Sequence, residues 1–268
     1  MKKVIISVAP VAADTVSIDP KSLADEVIRA SKAGAAMVHL HAKDQNGKLT
    51  EDISVLKETF RLIRAGCDII IEASTGGISD MDIVQRCAPL ECGLVEAASL
   101  NCGSCNLGEN VYHNSFEEIR YCSQKITEKG IVPDFEVFEI GMIHNIRLIA
   151  EKIPFREPML FNIVLGQTGA MPATIEALAA FVNFVPKGAL WAATDYGRRD
   201  FLLLSAAASM GASLLRVGFE DSVWYEGDEK AKDNVELVER MASIIRSQGM
   251  ELASAAEARK ILGIKRMV

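Results

Sequence analysis

Positive charge, long apolar runs and histidine are all scarce in this chain, and each shortage excludes something. The 29 Lys and Arg are outnumbered by 36 Asp and Glu, for a net charge of -7 and a pI near 5.3. The basic surface and high pI of a nucleic-acid-binding protein are therefore missing, and an anionic substrate has to be met by local basic residues. The N-terminal apolar run from Val4 to Pro10 is too short for a signal-peptide core or a membrane span, so a cytoplasmic protein without membrane association is expected. Six cysteines are present, and only Cys102 and Cys105 have the spacing of a pair. Without a second pair or a secretion signal, free thiols are expected in place of a disulfide framework or a structural zinc. No low-complexity linker or block of like charge divides the chain. With 49% hydrophobic residues it can bury a large core, and one domain over residues 1–268 is expected.

Short β-branched runs alternate with longer amphipathic stretches, the pattern of repeated strand-helix units around a parallel sheet. The runs are Val4–Pro10, Met37–His41, Asp68–Ser74, Leu94–Ser99, Pro133–Phe138, Met159–Leu165, Leu190–Asp195 and Leu214–Glu220. Helices are expected near 19–33, 51–65, 79–86, 115–129, 141–152, 172–184, 197–209 and 233–247, with an extra C-terminal helix near 254–262. Eight units in 268 residues fit a (β/α)8 TIM barrel better than an open sheet of five or six strands. Long loops are expected at 101–114 and 221–233.

Of only four histidines, two stand at His39 and His41. Residues two apart on a strand share a face, so the two imidazoles converge, either as metal ligands or as satisfied core or surface histidines. In a barrel the polar residues at strand C-termini can be read together. Asp14, Ser74-Thr75-Gly76-Gly77, Ser99 and Asn101, Glu136 and Glu139, Gln167, Asp195, and Arg216 with Glu220 and Asp221 occupy such places. Two imidazoles and the Glu220 carboxylate would make a catalytic metal shell with an open position. Arg216, four residues before Glu220, is expected on the same face and needs a carboxylate partner inside a barrel, for which Asp221 is a candidate. The segments Gly166-Gln167-Thr168-Gly169 and Gly197-Arg198-Arg199 suit loops that meet an anionic cosubstrate, though each is also an ordinary loop. Asp44, Asp80 and Asp82 read as caps or exposed turns.

In this order, Ala33-Gly34-Ala35-Ala36 leading into His39-Leu40-His41, Ser74-Thr75-Gly76-Gly77, Ser99-Leu100-Asn101 with Gly103, Glu136-Val137-Phe138-Glu139 with Gly141, Val164-Leu165-Gly166, Met171-Pro172, and Arg216 through Asp221 with Asn234 resemble the β-keto acid cleavage enzymes over nearly the whole chain. The pattern is nearest to members that act on 3-keto-5-aminohexanoate in lysine fermentation. The resemblance implies a zinc-dependent barrel, a homotetramer, that condenses a 3-keto acid with acetyl-CoA to give acetoacetate and a new acyl-CoA. It makes His39, His41 and Glu220 the Zn2+ ligands and Asp221, supported by Arg216, the general base. Asp14, Ser74, Thr75, Gly76, Ser99, Asn101 and Glu136 become the expected substrate contacts, with Glu139 the alternative to Glu136.

Three positions depart from the family's pattern. Lys43 stands where an arginine is usual, so a point charge replaces a fork-shaped donor. Residues 12–23 are fewer than usual, and Ser99 replaces a threonine. Asp14 falls where a relative has a glutamate that meets a substrate amine, which favours an amino-bearing keto acid. Two other classes compete: a zinc-dependent aldolase or lyase that stabilises an enolate, and a non-catalytic metal-binding protein. Metal-dependent amidohydrolases place the histidine pair on the first strand and use further histidines that this chain lacks.

Overall fold

The computed structural model describes residues 1–265, so positions 266–268 of the expected domain lie outside the described residues. Eight parallel strands form its centre: β1 (Lys3–Val8), β2 (Met37–Leu40), β3 (Ile70–Ala73), β4 (Ala97–Asn101), β5 (Val132–Val137), β6 (Leu160–Leu165), β7 (Leu190–Asp195) and β8 (Leu214–Val217). Each pairs with its successor, and β8 returns to β1 with Ile5 opposite Leu214 and Val8 opposite Val217. The sheet is thus a closed (β/α)8 barrel.

Around it run α1 (Pro20–Ala33), α2 (Ser54–Gly66), α3 (Ile83–Arg86), α4 (Phe116–Glu128), α5 (Ile140–Ala150), α6 (Ile175–Phe184), α7 (Leu202–Met210), α8 (Asn234–Ser247) and α9 (Ala255–Ile261). Their starts are encoded locally. Asp19 accepts from the Ser22 amide ahead of Pro20, and Ser115 with Glu118 and Ser254 with Glu257 form reciprocal capping boxes. None of these helices is long and apolar enough to cross a membrane.

Four sequence expectations need correction. The helix expected over 79–86 is a single turn, because Asp82 caps it and Pro89 follows in a 3-10 turn. The loop expected at 101–114 carries a hairpin, Cys105–Leu107 with Asn110–Tyr112, and that at 221–233 carries Trp224–Glu226 with Glu229–Lys230. Strand β2 stops at Leu40, so His41 lies just beyond it. Strand β8 stops at Val217, so Glu220 is not on a strand and the period-two argument linking it to Arg216 fails. All six cysteines are free thiols.

Alternation along the strands separates two environments. Val4, Ile6, Val38, Leu40, Ile71, Leu100, Phe135, Phe161, Ile163 and Leu215 belong to the shell packed against the helices. The intervening residues face the barrel interior, whose lowest layer is apolar: Ile5, Met37, Ile70, Leu160, Ala192 and Leu214, closed from below by Ala258 of α9 and by Leu262, its C-cap residue. Above that floor come Ser7, His39, Glu72, Ser99, Asp134, Asn162, Thr194 and Arg216, all buried.

Helix α9 is fastened by charge as well as packing. Arg259 donates through Nε to Glu96 Oε1 at 2.6 Å and through Nη1 to Asp68 at 2.9 Å, while Arg64 Nη2 donates to Glu96 Oε2 at 2.6 Å. Burial opposes ionisation of Glu96, but Arg259 and Arg64 outweigh it and hold its carboxyl below the ordinary 4.5. Glu96→Gln is expected to cost roughly 2 kcal/mol near neutral pH, since Arg259 and Arg64 lose the carboxylate they share and Arg259 keeps only Asp68. A carboxyl depressed by folding stabilises above its unfolded pKa and loses that contribution as the pH falls through its folded value. Urea unfolding of both proteins should therefore show the gap narrowing below about pH 4.5.

Candidate active site

The C-terminal mouth of the barrel opens into a cavity of about 990 Å³, walled by the loops after β1, β2, β3, β6 and β8 and by the Cys105–Tyr112 hairpin. At its base His39, His41 and Glu220 each offer one donor atom, all within 4.8 Å of one another. Glu220 Oε1 lies 3.3 Å from His41 Nε2 and 3.6 Å from His39 Nε2.

Glu220 arrives there by a turn. Gly218 has φ 147°, and a Cβ on it would collide with the backbone of Ala9. The close approach lets the Glu220 amide donate to the Ala9 carbonyl at 3.0 Å and the Asp221 amide to Gly218 at 3.1 Å. Both carboxylates are thereby folded back over the barrel.

The histidine tautomers follow from their partners. His41 Nδ1 lies 3.2 Å from the Gly76 carbonyl, which can only accept, so Nδ1 carries the proton and the Nε2 lone pair faces Glu220. His39 Nδ1 lies 2.9 Å from Glu72 Oε2, and a proton there leaves its Nε2 lone pair aimed at the same carboxylate. Burial lowers the His39 pKa to about 4, so its imidazole is neutral. Burial works against the charge on Glu220; only positive charge on the imidazole side, with Arg216 behind it, outweighs burial and holds its carboxyl well below the usual range.

Two lone pairs and a carboxylate converging on one point repel one another unless a cation lies between them, and Glu220 Oε2 is buried with no hydrogen-bond partner among the described residues. Ligand bonds of about 2.0–2.1 Å in a tetrahedron put donors ~3.4 Å apart, close to the 3.3 and 3.6 Å observed here. The three residues fit a divalent cation.

Arg216 is the electrostatic centre of the other half. Its Nε and Nη2 donate to Asp221 Oδ2 and Oδ1 at 3.0 and 2.6 Å, its Nη1 donates to Glu136 Oε1 at 3.0 Å, and Nη2 lies 3.5 Å from Glu220. Burial raises the Asp221 pKa and the Arg216 charge opposes it, leaving the carboxyl above the ordinary value yet gripped at both oxygens. Glu136, not Glu139, faces the cavity; Glu139 is the N-cap residue of α5.

The hydroxyl positions divide. Ser74 lines the cavity, accepts from the Gly76 amide at 3.2 Å and lies 3.3 Å from Ser99 Oγ. Ser99 and Thr75 are buried behind it, Thr75 donating to the Ser99 carbonyl at 2.7 Å. Asn101 is buried, and neither atom of its amide finds a hydrogen-bond partner among the described residues. Gly76 sits against the Tyr112 hydroxyl, where a side chain would clash. Asp14 is exposed beside Ala13, which lines the cavity while Asp14 does not. Lys43 lines it too, its ammonium donating to the Ala12 carbonyl at 3.0 Å.

Two interior carboxyls were not singled out from the sequence. Glu72 touches His39, and Asp134 accepts from Asn162 at 3.1 Å, which in turn accepts from Thr194 at 3.0 Å. Burial raises the Glu72 pKa to about 8 and lifts Asp134 well above the usual range. A lone glutamate after Ile69-Ile70-Ile71 was the available signal, because an acid in a buried strand needs a reason. Glu72 orients His39 and fixes its tautomer, so Glu72→Leu is expected to weaken metal affinity about 10–100-fold. Glu72→Gln, which keeps an acceptor, should lose less; competition with a chromogenic chelator measures both.

The sequence profile of the beta-keto acid cleavage enzymes matches residues 3–264. The chain is 34% identical over 275 residues to the 3-keto-5-aminohexanoate cleavage enzyme of Fusobacterium nucleatum, covering 99% of this chain and 100% of that one. It is 30% identical over 300 residues to the 3,5-dioxohexanoate:acetyl-CoA acetone transferase of Paraburkholderia graminis, covering 98% and 96%. Among solved structures, ObcA with oxaloacetate superposes with a TM-score of 0.79 at 18% identity, over 94% of this chain and 68% of ObcA. Apo ObcA superposes at 0.77, and there the chain spans 66% of that protein's length. At these identities the likeness is one of fold.

Proposed function

The chain belongs to the beta-keto acid cleavage enzyme family, and from that membership and the geometry of the mouth we propose that it condenses a 3-keto acid with acetyl-CoA, releasing acetoacetate and a new acyl-CoA. The observation that carries the reading is one buried guanidinium gripping a carboxylate at both oxygens beside a His-His-Glu donor set. His39, His41 and Glu220 would hold the cation, with zinc favoured by the ligand types. When bound, it would supply Lewis-acid polarisation of a keto oxygen and charge stabilisation as that oxygen becomes an alkoxide.

The chain's own groups do the rest. Asp221 takes a proton from the methylene between the ketone and the carboxylate of the keto acid; Arg216 holds it ionised and aimed, and burial raises its basicity. The enolate carbon attacks the thioester carbonyl of acetyl-CoA, forming a carbon-carbon bond. CoA then migrates from that carbon to the keto carbon, and cleavage of the bond between the keto carbon and the former methylene releases the new acyl-CoA and the acetoacetate carbanion, which takes the proton back from Asp221. Ser74 and Lys43 offer the hydroxyl and the cation to hold the substrate carboxylate. The 34% identical relative with 3-keto-5-aminohexanoate in its name supports an amino-bearing substrate; Asp14, expected at the substrate amine, stands on the loop after β1 outside the cavity lining. One domain, a homotetramer and a cytoplasmic location belong to the same proposal.

Mass spectrometry of zinc-loaded protein with acetyl-CoA and a panel of 3-keto acids tests it. Acetoacetate and a new CoA thioester should appear together, fastest with an amino-bearing acid. Neither product from any acid, with metal bound, would reject it in favour of an aldolase or lyase.

A further inference from the structure

Beside the active-site cavity lies a second one, of about 690 Å³, between the loops after β6 and β7. The two share Gln167, Thr168 and Tyr196 as a common wall. At the second cavity Arg198 is 4% exposed, stacked on Phe201 with its guanidinium carbon 4.1 Å from the ring centre. Its Nη1 donates to the Trp224 carbonyl at 2.6 Å, but Nε and Nη2 are buried with no acceptor among the described residues. A buried guanidinium with two idle donors is costly, and the Nε–Nη2 edge is the one that grips carboxylate or phosphate oxygens in pairs. Ile175, the first residue of α6, lines the same cavity and brings the positive end of that helix to it, while Asp195 and Asp200 also line it and Asp200 already accepts from the first amide of α7, that of Leu202, at 2.8 Å. Arg199, stacked on Trp224, adds a second cation at the rim.

We infer that the second cavity seats the phosphate groups of the CoA cosubstrate, with Arg198 Nε and Nη2 as the central donors. The pantetheine arm would then cross Gln167, Thr168 and Tyr196 and deliver the acetyl group to the keto acid held beside Asp221. The Gly197 amide donates to the Asp221 carbonyl at 2.8 Å, so the loop that carries Arg198 is tied to the base. This inference rests on the proposed use of acetyl-CoA and adds where the coenzyme's charge is read.

The test compares acetyl-CoA with S-acetylpantetheine, which lacks the phosphates, and measures CoA binding directly by calorimetry. In Arg198→Gln the ratio of kcat/KM for acetyl-CoA to that for S-acetylpantetheine should fall at least tenfold, and CoA binding should weaken by a similar factor. Leu202 is 71% exposed at a helix start where an acid is well tolerated, so Leu202→Glu folds safely and should repel CoA in the same sense. Adenosine 3',5'-bisphosphate should compete with CoA, and inorganic phosphate alone should compete only weakly. An unchanged ratio in both variants, or CoA that fails to bind the wild-type protein, would overturn the inference. Arg198-dependent CoA binding by a protein that turns over neither donor would keep the site and reject the proposed reaction.

Discussion

Asp221→Asn should abolish turnover, lowering kcat by about a thousandfold or more, while metal content stays at the wild-type level. Proton transfer by a positioned base is worth about 10²–10⁴ in rate, and an amide cannot take the proton. The substitution is nearly isosteric. Its carbonyl oxygen can still accept one of the two Arg216 bonds, and His39, His41 and Glu220 are untouched. Steady-state rates with acetyl-CoA, paired with metal analysis, give the answer. An active Asp221→Asn enzyme would remove Asp221 as base, and an inactive variant stripped of metal would show its role to be structural.

Arg216→Met should be the most destabilising single change in the mouth. Three carboxylates, on Glu136, Glu220 and Asp221, meet this one buried side chain. Without it they repel one another in a medium that screens poorly, and breaking such a buried network costs about 3–5 kcal/mol. Urea unfolding of the metal-free protein measures the loss. Adding Asp221→Asn should return part of it, because one stranded charge disappears, so the double variant should be less destabilised than the sum of the two singles. Strict additivity would mean that Arg216 and Asp221 do not act as a unit.

The barrel was legible because alternation between β-branched runs and amphipathic stretches survives without any knowledge of pairing. The histidine pair was legible for a similar reason: period two is a property of the strand alone. Glu220 was reached by a wrong route. The sequence reading extended β8 to it, whereas the chain leaves the strand at Gly218 and a turn against Ala9 carries the carboxylate back. Its proximity to His41 depends on β8 closing against β1, which no local pattern encodes. Glu72 and Asp134 were missed because their partners stand on other strands, and facing is settled only by register: His39 opposite Glu72, Glu136 opposite Asn162. Ser99 was expected beside substrate from the family resemblance and Thr75 from the two hydroxyls of its loop; the turn sends Thr75 under Ser74 to the Ser99 carbonyl and toward Cys122.

The apolar floor formed by Ile5, Met37, Ile70, Leu160 and Leu214 over α9 makes the barrel a blind tube. Everything that reacts must come and go through one doorway. On the proposed reading the smaller keto acid lies innermost, against the histidines, and the long thioester lies over it. Traffic is therefore sequential: the acid has to be seated before the coenzyme arrives, and a coenzyme that arrives first bars the way. Excess acetyl-CoA should then act as its own inhibitor against the keto acid, a kinetic signature that comes from the stopper at the far end of the tube.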